Sequence, residues 1–248
     1  ERITTNERLA MGLASSSNKS DEDWPYVAAI REPEYLDWRS LKGESAKDSL
    51  SELMQHIQKQ NDLPVQISET LFLSDARGAG KIERLQELGV THVLNVAGES
   101  AAITSPDVYR EAGIQCKIIS AEDEEGYPML AKHLSEAREF IAAARDSGGK
   151  CVVHCVAGIN RSGVTVAAEH MLTTRQNVLE VVAHCRKQRG NVFLSNKSFQ
   201  EELVALARAH DLLGPKPGEQ GCIVKNLPQK PTDRPPAQGP LRTLLDRL

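Results

Sequence analysis

A cysteine and an arginine frame one loop of this chain, between an apolar segment and a helix-like one. The stretch 151-CVVHCVAGINRSGVTVAAEH-170 holds Cys155 at the start of the loop, Arg161 at its end and Gly158 between them. Gly158 allows the backbone to curl, and inward-turned amides at a helix N-terminus bind an oxyanion. Arg161 adds a planar cation that can hold two phosphate oxygens. The pattern predicts a phosphate-binding loop whose positive surroundings favour the thiolate form of Cys155.

The alternative interpretation of the same residues is structural. Cys155 would then be a core residue at the end of a strand, and Arg161 a surface residue of a helix. A Cys-x5-Arg spacing alone is weak evidence against it. Between this strand and this helix, however, the spacing comes with four further residues typical of such a loop: His154, Gly158, Ser162 and Gly163.

Alternating strands and helices are predicted from about residue 65 onwards. The strand candidates are 65–68, 71–74, 92–97, 114–120 and 150–155. Apolar stripes with helical spacing occur over 130–145, 164–172, 178–185 and 199–210. Ser195 or Asn196 is the expected cap of the last helix. Strands separated by helices imply an α/β fold, with a largely parallel sheet and helices on both faces.

The two ends of the chain differ from this central part. Residues 1–64 are predicted to be a partly helical N-terminal extension, with one apolar stripe at Leu50, Leu53, Met54 and Ile57. Trp24 and Trp38 are expected to anchor it on the main domain. Residues 214–248 hold seven of the twelve prolines and are predicted to be a disordered or extended tail. Their segment 228-PQKPTDRPP-236 resembles a polyproline ligand for a partner protein, although Asp233 replaces the expected basic residue and a plain linker fits better.

Composition excludes several other function classes. The net charge of −4 gives no positive field for nucleic-acid binding, and no apolar run is long enough to cross a bilayer. Five cysteines match neither a disulfide framework nor a zinc site. We therefore expect a reducing compartment, the cytoplasm and also the nucleus. The chain begins with Glu1, so the lack of a signal peptide is weak support for this location.

The segment 154-HCVAGINRSG-163 resembles the HCxxGxxR(S/T) signature of the cysteine-dependent protein tyrosine phosphatases, and the domain resembles their dual-specificity branch. Further similarity covers about 65–213, in 71-LFLSDARGAGKIERLQELGVTHVLNVAG-98, 113-GIQCKIISAED-123, 138-REFIAAARDSGGKCVVHC-155 and 186-RKQRGNVFLSNKSF-199. The resemblance implies a catalytic domain over 65–213 with one mostly parallel central sheet between helices. It also implies a reaction without metal or other cofactor.

The resemblance also assigns roles to residues of the loop. Cys155 attacks phosphorus and forms a phosphocysteine, and Ser162 eases departure of the thiolate when water breaks that intermediate. His154 organises the loop. The phosphoryl oxygens are held by the guanidinium of Arg161 and by the amides of Val156, Ala157, Gly158, Ile159, Asn160 and Arg161.

A general acid is expected on the segment 120-SAEDEEGY-127. The resemblance places an aspartate about thirty residues before the cysteine, and Asp123 lies 32 positions before Cys155. Such a group protonates the leaving oxygen and then activates water. The neighbouring Glu122, Glu124 and Glu125 are interpreted as an ordinary solvated acidic loop.

The side chains of the loop favour a phosphorylated protein as substrate, at tyrosine, at serine or threonine, or at both. Val156, Ala157, Ile159 and Asn160 are uncharged, whereas phosphoinositide phosphatases of this superfamily often carry lysines there. Asn160–Arg161 resembles the pair found in RNA 5′-triphosphatases, but their additional basic loop residue is missing. A phosphoinositide, an RNA 5′ end or a phosphoglycan is the alternative substrate, and a non-catalytic phosphoprotein-binding scaffold is a third possibility.

Two further cysteines suggest redox regulation. Cys151 is predicted on the same strand as Cys155, and Cys116 on a neighbouring one. An oxidised Cys155 could form a reversible disulfide with either of them. The alternative, which we favour, is that both are small buried apolar residues.

Overall fold

The computed structural model describes residues 21–32 and 62–224, and five strands within them form a single sheet. The strands are β1 (Val65–Gln66), β2 (Leu71–Ser74), β3 (Val90–Asn95), β4 (Gln115–Ile118) and β5 (Lys150–His154). Their order is β1-β2-β5-β3-β4. β1 runs antiparallel to β2, and the other neighbouring pairs are parallel. The predicted mostly parallel sheet is confirmed.

Helices cover both faces of this sheet. They are α1 (Trp24–Arg31), α2 (Ala76–Ala79), α3 (Ile82–Glu87), α4 (Pro106–Glu111), α5 (Met129–Asp146), α6 (Arg161–Thr174), α7 (Val178–Arg189) and α8 (Lys197–Ala209). A short 3-10 helix spans Glu99–Ala101. The four helices predicted from apolar stripes correspond to α5 to α8. The short α2, α3 and α4 give no such stripe, because each has little more than one or two turns.

Side chains of the central strands alternate between two apolar cores. On β5, Cys151 and Val153 belong to the larger core, while Val152 between them belongs to the smaller one. This alternation follows from the two-residue period of a strand. The larger core lies between the sheet and α5 to α8, and the smaller core contains residues of α2, α3 and α4. Burial of both faces explains why the central strands β2 and β5 carry runs of apolar residues, whereas the edge strand β4 does not.

Three predicted strands are longer than those observed, the one over 150–155 by a single residue, and the predicted strand 92–97 is displaced by two residues from β3. The first ends at Gln66 rather than residue 68, because the amides of Ile67 and Ser68 both donate to the Leu71 carbonyl and close a turn into β2. The fourth spans 115–118 rather than 114–120. No helix in the described ranges combines the length and apolar character needed to span a bilayer.

Parallel pairing brings the site-forming ends of three strands to one edge. His154, the last residue of β5, lies in register with Ser74 at the end of β2 and with Asn95 at the end of β3. The loop that begins at Cys155 therefore leaves the carboxyl edge of the sheet between two neighbouring strand ends. This edge is where open α/β sheets place their ligands.

The N-terminal helix α1 packs on the domain through buried residues. Ala29 and Ile30 are fully buried, and Trp24 packs against the larger core as predicted. Buried Arg186 of α7 donates from Nη2 to the Ile30 carbonyl oxygen at 2.7 Å. The predicted stripe over 50–57 and Trp38 lie outside the described residues.

The first part of the predicted tail is also described. Residues 214–224 form turns, and Val224 is buried in the larger core. The hydroxyl of Tyr26 donates to the Gly214 carbonyl oxygen at 2.9 Å, which joins this segment to α1. The proline-rich segment 228–236 lies outside the described residues.

Replacing Arg186 tests how much its hydrogen bonds to α1 and to Phe193 stabilise the domain. Arg186→Met keeps an apolar stem but leaves the carbonyl oxygens of Ile30 and Phe193 without their donor. Because hydrogen bonds to a charged group are strong, we expect the free energy of unfolding to fall by about 2–3 kcal/mol in a urea titration. Arg84→Met, at an exposed residue whose ion pair within the described residues is with Glu87, should change it by less than about 0.5 kcal/mol. Equal effects of the two substitutions would contradict a stabilising role of the contacts between Arg186 and the carbonyl oxygens of Ile30 and Phe193.

Candidate active site

Cys155 lies at the bottom of the loop between β5 and α6. The residue is only 1% exposed, and Ser162 in the first turn of α6 is fully buried. The Ser162 hydroxyl donates to Cys155 Sγ at 3.2 Å. The N-terminus of α6 follows the loop directly, so its helix dipole places positive potential beside the sulfur.

A buried arginine holds the middle of this loop from behind. Arg189, the last residue of α7, is fully buried and donates from Nε to the Gly158 carbonyl oxygen at 2.9 Å. Its Nη2 donates to the Ala157 carbonyl oxygen at the same distance. Burial lowers the pKa of Arg189, while the nearby Asp75 and Cys155 oppose that shift. The sequence pattern did not reveal this residue, because it lies about thirty positions from the loop.

Backbone amides hold the other carbonyl groups of the loop. The Val156 carbonyl accepts from the Ala76 amide at 3.2 Å, and the Ile159 carbonyl accepts from the Leu194 amide at 3.1 Å. Among the described residues, none accepts a hydrogen bond from the amides of 156–160. The carbonyls are thus fixed on the outside of the curl, and its N–H groups remain available for an anion.

Gly158 is required at the point where the loop approaches β2. Its φ of +65° lies in the left-handed region. A Cβ added there would come within 2.7 Å of the Ser74 backbone carbon and oxygen. Backbone conformation and close packing therefore both require glycine.

Arg161 joins the phosphate loop to the acidic loop before α5. Its Nη1 donates to the Ala121 carbonyl oxygen at 3.0 Å, and its Nε lies 3.8 Å from Asp123 Oδ2. Asp123 and Arg161 line one cavity of about 660 Å³, together with Glu122 and Glu124. Of the four candidate acids, Asp123 alone forms an ion pair with Arg161 in the described part of the chain.

Asn160 links the phosphate loop to the segment that holds Asp123. Asn160 Oδ1 accepts from the amides of Ser195 and Asn196 at 2.8 and 2.9 Å, and from the Ser195 hydroxyl at 3.1 Å. Asn196 Nδ2 in turn donates to Asp123 Oδ1 at 3.2 Å. Asn196 Oδ1 caps α8, as predicted, by accepting from the amides of Ser198 and Phe199. Sequence reasoning foresaw the cap but not its contact with the acid.

Comparison with known proteins agrees with this geometry. The family model of the dual specificity phosphatase catalytic domain matches residues 71–209. The chain belongs to the dual specificity phosphatase family. The match contains both the acidic loop and the phosphate loop.

Relatives and solved structures of this family cover the same part of the chain. Dual specificity protein phosphatase 26 of Homo sapiens is 34% identical over 139 residues, which are 56% of this chain and 64% of that relative. Dual specificity protein phosphatase 5 of Rattus norvegicus is 30% identical over 174 residues, 70% of this chain and 39% of that relative. The chain thus spans less than two thirds of the length of these relatives.

The crystal structure of human DUSP28 matches with a TM-score of 0.52 at 25% identity, covering 59% of this chain and 94% of that one. The crystal structure of DUSP15 matches with a TM-score of 0.51 at 26% identity, covering 60% of this chain and 90% of that one.

His154 of this dual specificity phosphatase domain is buried next to the loop. Its Nδ1 lies 3.3 Å from the Cys155 carbonyl oxygen. Burial lowers the pKa of His154, while the hydrogen bond to Cys155 and the charge of Asp75 oppose that shift. This contact joins the ring to the backbone at the end of β5. The organising role expected of His154 stays a prediction.

The cysteines outside the loop are buried to different extents. Cys151 is fully buried in the larger core, and burial raises the pKa of its thiol. Cys116 lies on β4, which β3 separates from β5, so the expectation that it occupies a strand adjacent to Cys155 is wrong. The larger core contains Cys151 and Cys155, whereas Cys116 packs against the smaller core on the other face. Of the two proposed disulfide partners, Cys151 is the one that shares a face with Cys155.

Glu202 of α8 holds the other end of the acidic loop. Its Oε1 accepts from the Met129 amide at 2.9 Å, and its Oε2 accepts from the Leu130 amide at 2.6 Å. These are the first two residues of α5, whose unpaired amides need acceptors. Burial raises the pKa of Glu202 to about 7, although the hydrogen bonds from the amides oppose the shift. A glutamate within a helix gives no sequence signal for this role.

Gly158→Ala is predicted to damage the site rather than only the fold. The added Cβ costs about 1–2 kcal/mol for the left-handed backbone and also collides with Ser74. We expect kcat/KM for an aryl phosphate to fall at least about tenfold. Gly113→Ala is the matched control, since Gly113 has φ +75° and no atom lies within 4 Å of the position that its Cβ would take. That variant should lose stability alone and keep its activity per folded molecule; equal activity of the two variants would contradict the prediction.

Glu202 should make stability depend on pH. The pKa of Glu202 in the folded state, about 7, lies above its ordinary value of 4.5. Its contribution to the free energy of unfolding is therefore complete below about pH 4.5 and is lost as pH rises through about 7. Between about pH 4.5 and 7, the free energy of unfolding of the wild type should fall by up to about 1.4 kcal/mol per pH unit relative to Glu202→Gln, as measured by urea unfolding. Glu201→Gln, at a neighbour paired with Arg31, should leave the slope in place. If the pH dependence of the free energy of unfolding persisted in Glu202→Gln, Glu202 would not be the group that causes it.

Proposed function

We propose that this chain is a cysteine-dependent phosphatase that hydrolyses phosphotyrosine, phosphoserine or phosphothreonine on proteins through a phosphocysteine intermediate. One observation carries the proposal. The loop around Cys155 has its carbonyl groups bound on the outside, and within the described residues its amides of 156–160 donate to no acceptor. Such a curl, next to the Arg161 guanidinium and a helix N-terminus, fits a phosphoryl group.

In the first step, Cys155 Sγ attacks phosphorus and forms a P–S bond. The bond between phosphorus and the ester oxygen breaks, and its electron pair goes to that oxygen. Asp123 gives the leaving oxygen a proton, so the product departs as an alcohol or phenol. Arg161 and the amides of 156–161 hold the equatorial oxygens, where negative charge must be stabilised.

In the second step, water attacks the phosphocysteine. The Asp123 carboxylate takes a proton from that water, the P–S bond breaks and inorganic phosphate leaves. The electron pair returns to sulfur, where the Ser162 hydroxyl already donates a hydrogen bond at 3.2 Å. This donor stabilises the departing thiolate. His154 has no step of its own and acts by positioning the Cys155 backbone.

Asp123 is better placed for proton transfer than its acidic neighbours. Asn196 holds one carboxylate oxygen, and Arg161 lies near the other. Because Asn160 positions Asn196, the proton donor and the phosphate loop are aligned through shared contacts. The glutamates beside Asp123 share neither contact within the described residues.

A phosphoprotein is the substrate that the loop and the family favour together. The side chains of Val156, Ala157, Ile159 and Asn160 add no cation for further phosphates of an inositol ring or an RNA end. The similar chains from Homo sapiens and Rattus norvegicus are named protein phosphatases. The cytoplasmic or nuclear location and a partner for the proline-rich tail stay predictions.

Hydrolysis of an aryl phosphate between about pH 5 and 8, without added metal, tests the proposal. The wild type should turn over, and Cys155→Ser should not, because the serine hydroxyl is a far weaker nucleophile than a thiolate. Asp123→Asn should lose roughly 10²–10⁴-fold in kcat with a poor leaving group and much less with a good one. Glu125→Gln, in the same loop, serves as the control and should stay close to wild type.

The outcomes separate this function from its rivals. A wild type that binds vanadate but hydrolyses no phosphate ester would be a phosphoprotein receptor. If aryl phosphates turn over, a panel containing phosphopeptides, phosphoinositides, a phosphoglycan and a 5′-triphosphorylated RNA identifies the substrate class. Preference for any non-protein substrate in that panel would overturn the phosphoprotein assignment.

A further inference from the structure

A second cleft adjoins the phosphate loop at Val156 and Ala157. Its volume is about 650 Å³, and its walls include Arg77, Lys81, Ile103, Val156 and Ala157. We refer to it as the basic cleft. Val156 and Ala157 directly follow Cys155 in the chain, so the cleft begins at the rim of the loop.

Two cations in the basic cleft are available to a ligand. Arg77 and Lys81 are both exposed, and neither side chain forms an ion pair or hydrogen bond with the described part of the chain. Asp75 also lines this cleft, but its side chain is almost buried and its Oδ1 accepts from the Gly78 amide at 2.7 Å. The charge that faces solvent in this cleft is therefore positive.

Apolar side chains accompany these cations. Ile103 is 65% exposed and Val156 is 54% exposed, and they are two of the three exposed large apolar residues of the described chain. Exposed apolar groups next to fixed charges are typical of a surface that binds polypeptide.

The cavity that contains Asp123 carries the other sign, and Ser100 lines both this cavity and the basic cleft. The cavity that contains Asp123 and Arg161 is also lined by Glu99, Glu122 and Glu124. Four carboxylates against one guanidinium make that cavity acidic. A peptide whose phosphate lies in the loop therefore has a basic surface at the cleft and an acidic surface at the cavity beside it.

We propose that the basic cleft is a specificity subsite for the substrate polypeptide, in which Arg77 and Lys81 bind Asp or Glu side chains on one side of the phosphorylated residue. This inference rests on the proposed function and names its substrate class as phosphoprotein segments with an acidic flank. The apolar surface of Ile103 and Val156 receives the stems of neighbouring residues. The acidic cavity disfavours the same carboxylates where the segment meets it.

The size of the effect follows from the exposure of the two cations. Two exposed ion pairs together raise kcat/KM by roughly twofold to thirtyfold. Salt screens charges of this kind, and the preference should shrink as ionic strength rises.

The experiment compares phosphopeptides of one sequence that carry Asp, Asn or Lys on either side of the phosphoresidue. For the wild type, we expect kcat/KM to be highest with Asp on one side only, and the gain over Asn to decline with salt. The double variant Arg77→Ala/Lys81→Ala should abolish that gain. Charge reversal, Arg77→Glu/Lys81→Glu, should transfer the preference to the Lys peptide. The matched control Arg84→Ala/Arg110→Ala removes two exposed cations that have carboxylate partners and should retain the Asp preference.

Hydrolysis of a small aryl phosphate in parallel separates two kinds of failure. If the wild type hydrolyses neither the aryl phosphate nor any peptide, the proposed function itself fails. If it hydrolyses them but Asp and Asn peptides react equally, the subsite assignment is wrong. The assignment is also overturned if the Asp preference survives in Arg77→Ala/Lys81→Ala or does not transfer to Lys after charge reversal.

Discussion

The site depends on a buried guanidinium that fixes the outside of the phosphate loop. Arg189 is fully buried and donates to the carbonyl oxygens of two consecutive loop residues, Ala157 and Gly158. Removing a cation from water is costly, and the lowered pKa of Arg189 reports that cost. Hydrogen bonds to the carbonyl groups and the nearby Asp75 charge offset it. Because these carbonyls cannot turn inward, the amides of the same peptide groups face the position of an anion.

This arrangement separates two sources of positive potential that a phosphoryl group needs. The amides and the dipole of α6 are fixed by the backbone, whereas Arg161 contributes a side-chain cation that is only slightly exposed. Preorganised dipoles stabilise charge in a reaction without further rearrangement. The Asn160 side chain extends the same rigidity outward, because its contacts with Ser195 and Asn196 position the cap of α8 and, through it, Asp123. Backbone geometry and the proposed proton donor are thus coupled.

The sequence predicted what depends on local pattern and missed what depends on contacts across the fold. The sequence predicts strand β5, the glycine of the curl and the asparagine cap of α8, because the residues that indicate each of them lie only a few positions away. Arg189 looks like any basic residue in the last turn of a helix, and Glu202 looks like any surface glutamate. Their roles arise only when tertiary packing places them under the loop and at the start of α5. The placement of Cys116 next to the strand of Cys155 failed for a related reason, because chain order does not give strand order and the crossover places β5 between β2 and β3.

The proposed chemistry and the proposed substrate selectivity belong to different parts of this site for a physical reason. The interior of the loop tolerates little change, since a single added carbon at Gly158 meets backbone atoms at 2.7 Å. The rim is different: Val156, Ile103, Arg77 and Lys81 line the basic cleft with exposed or partly exposed side chains, and those side chains hold no part of the curl in place. Substitution there alters the charge that a substrate meets without moving Cys155 or Arg161. A phosphate trap built from backbone groups can therefore keep one reaction while its surroundings select among phosphorylated chains.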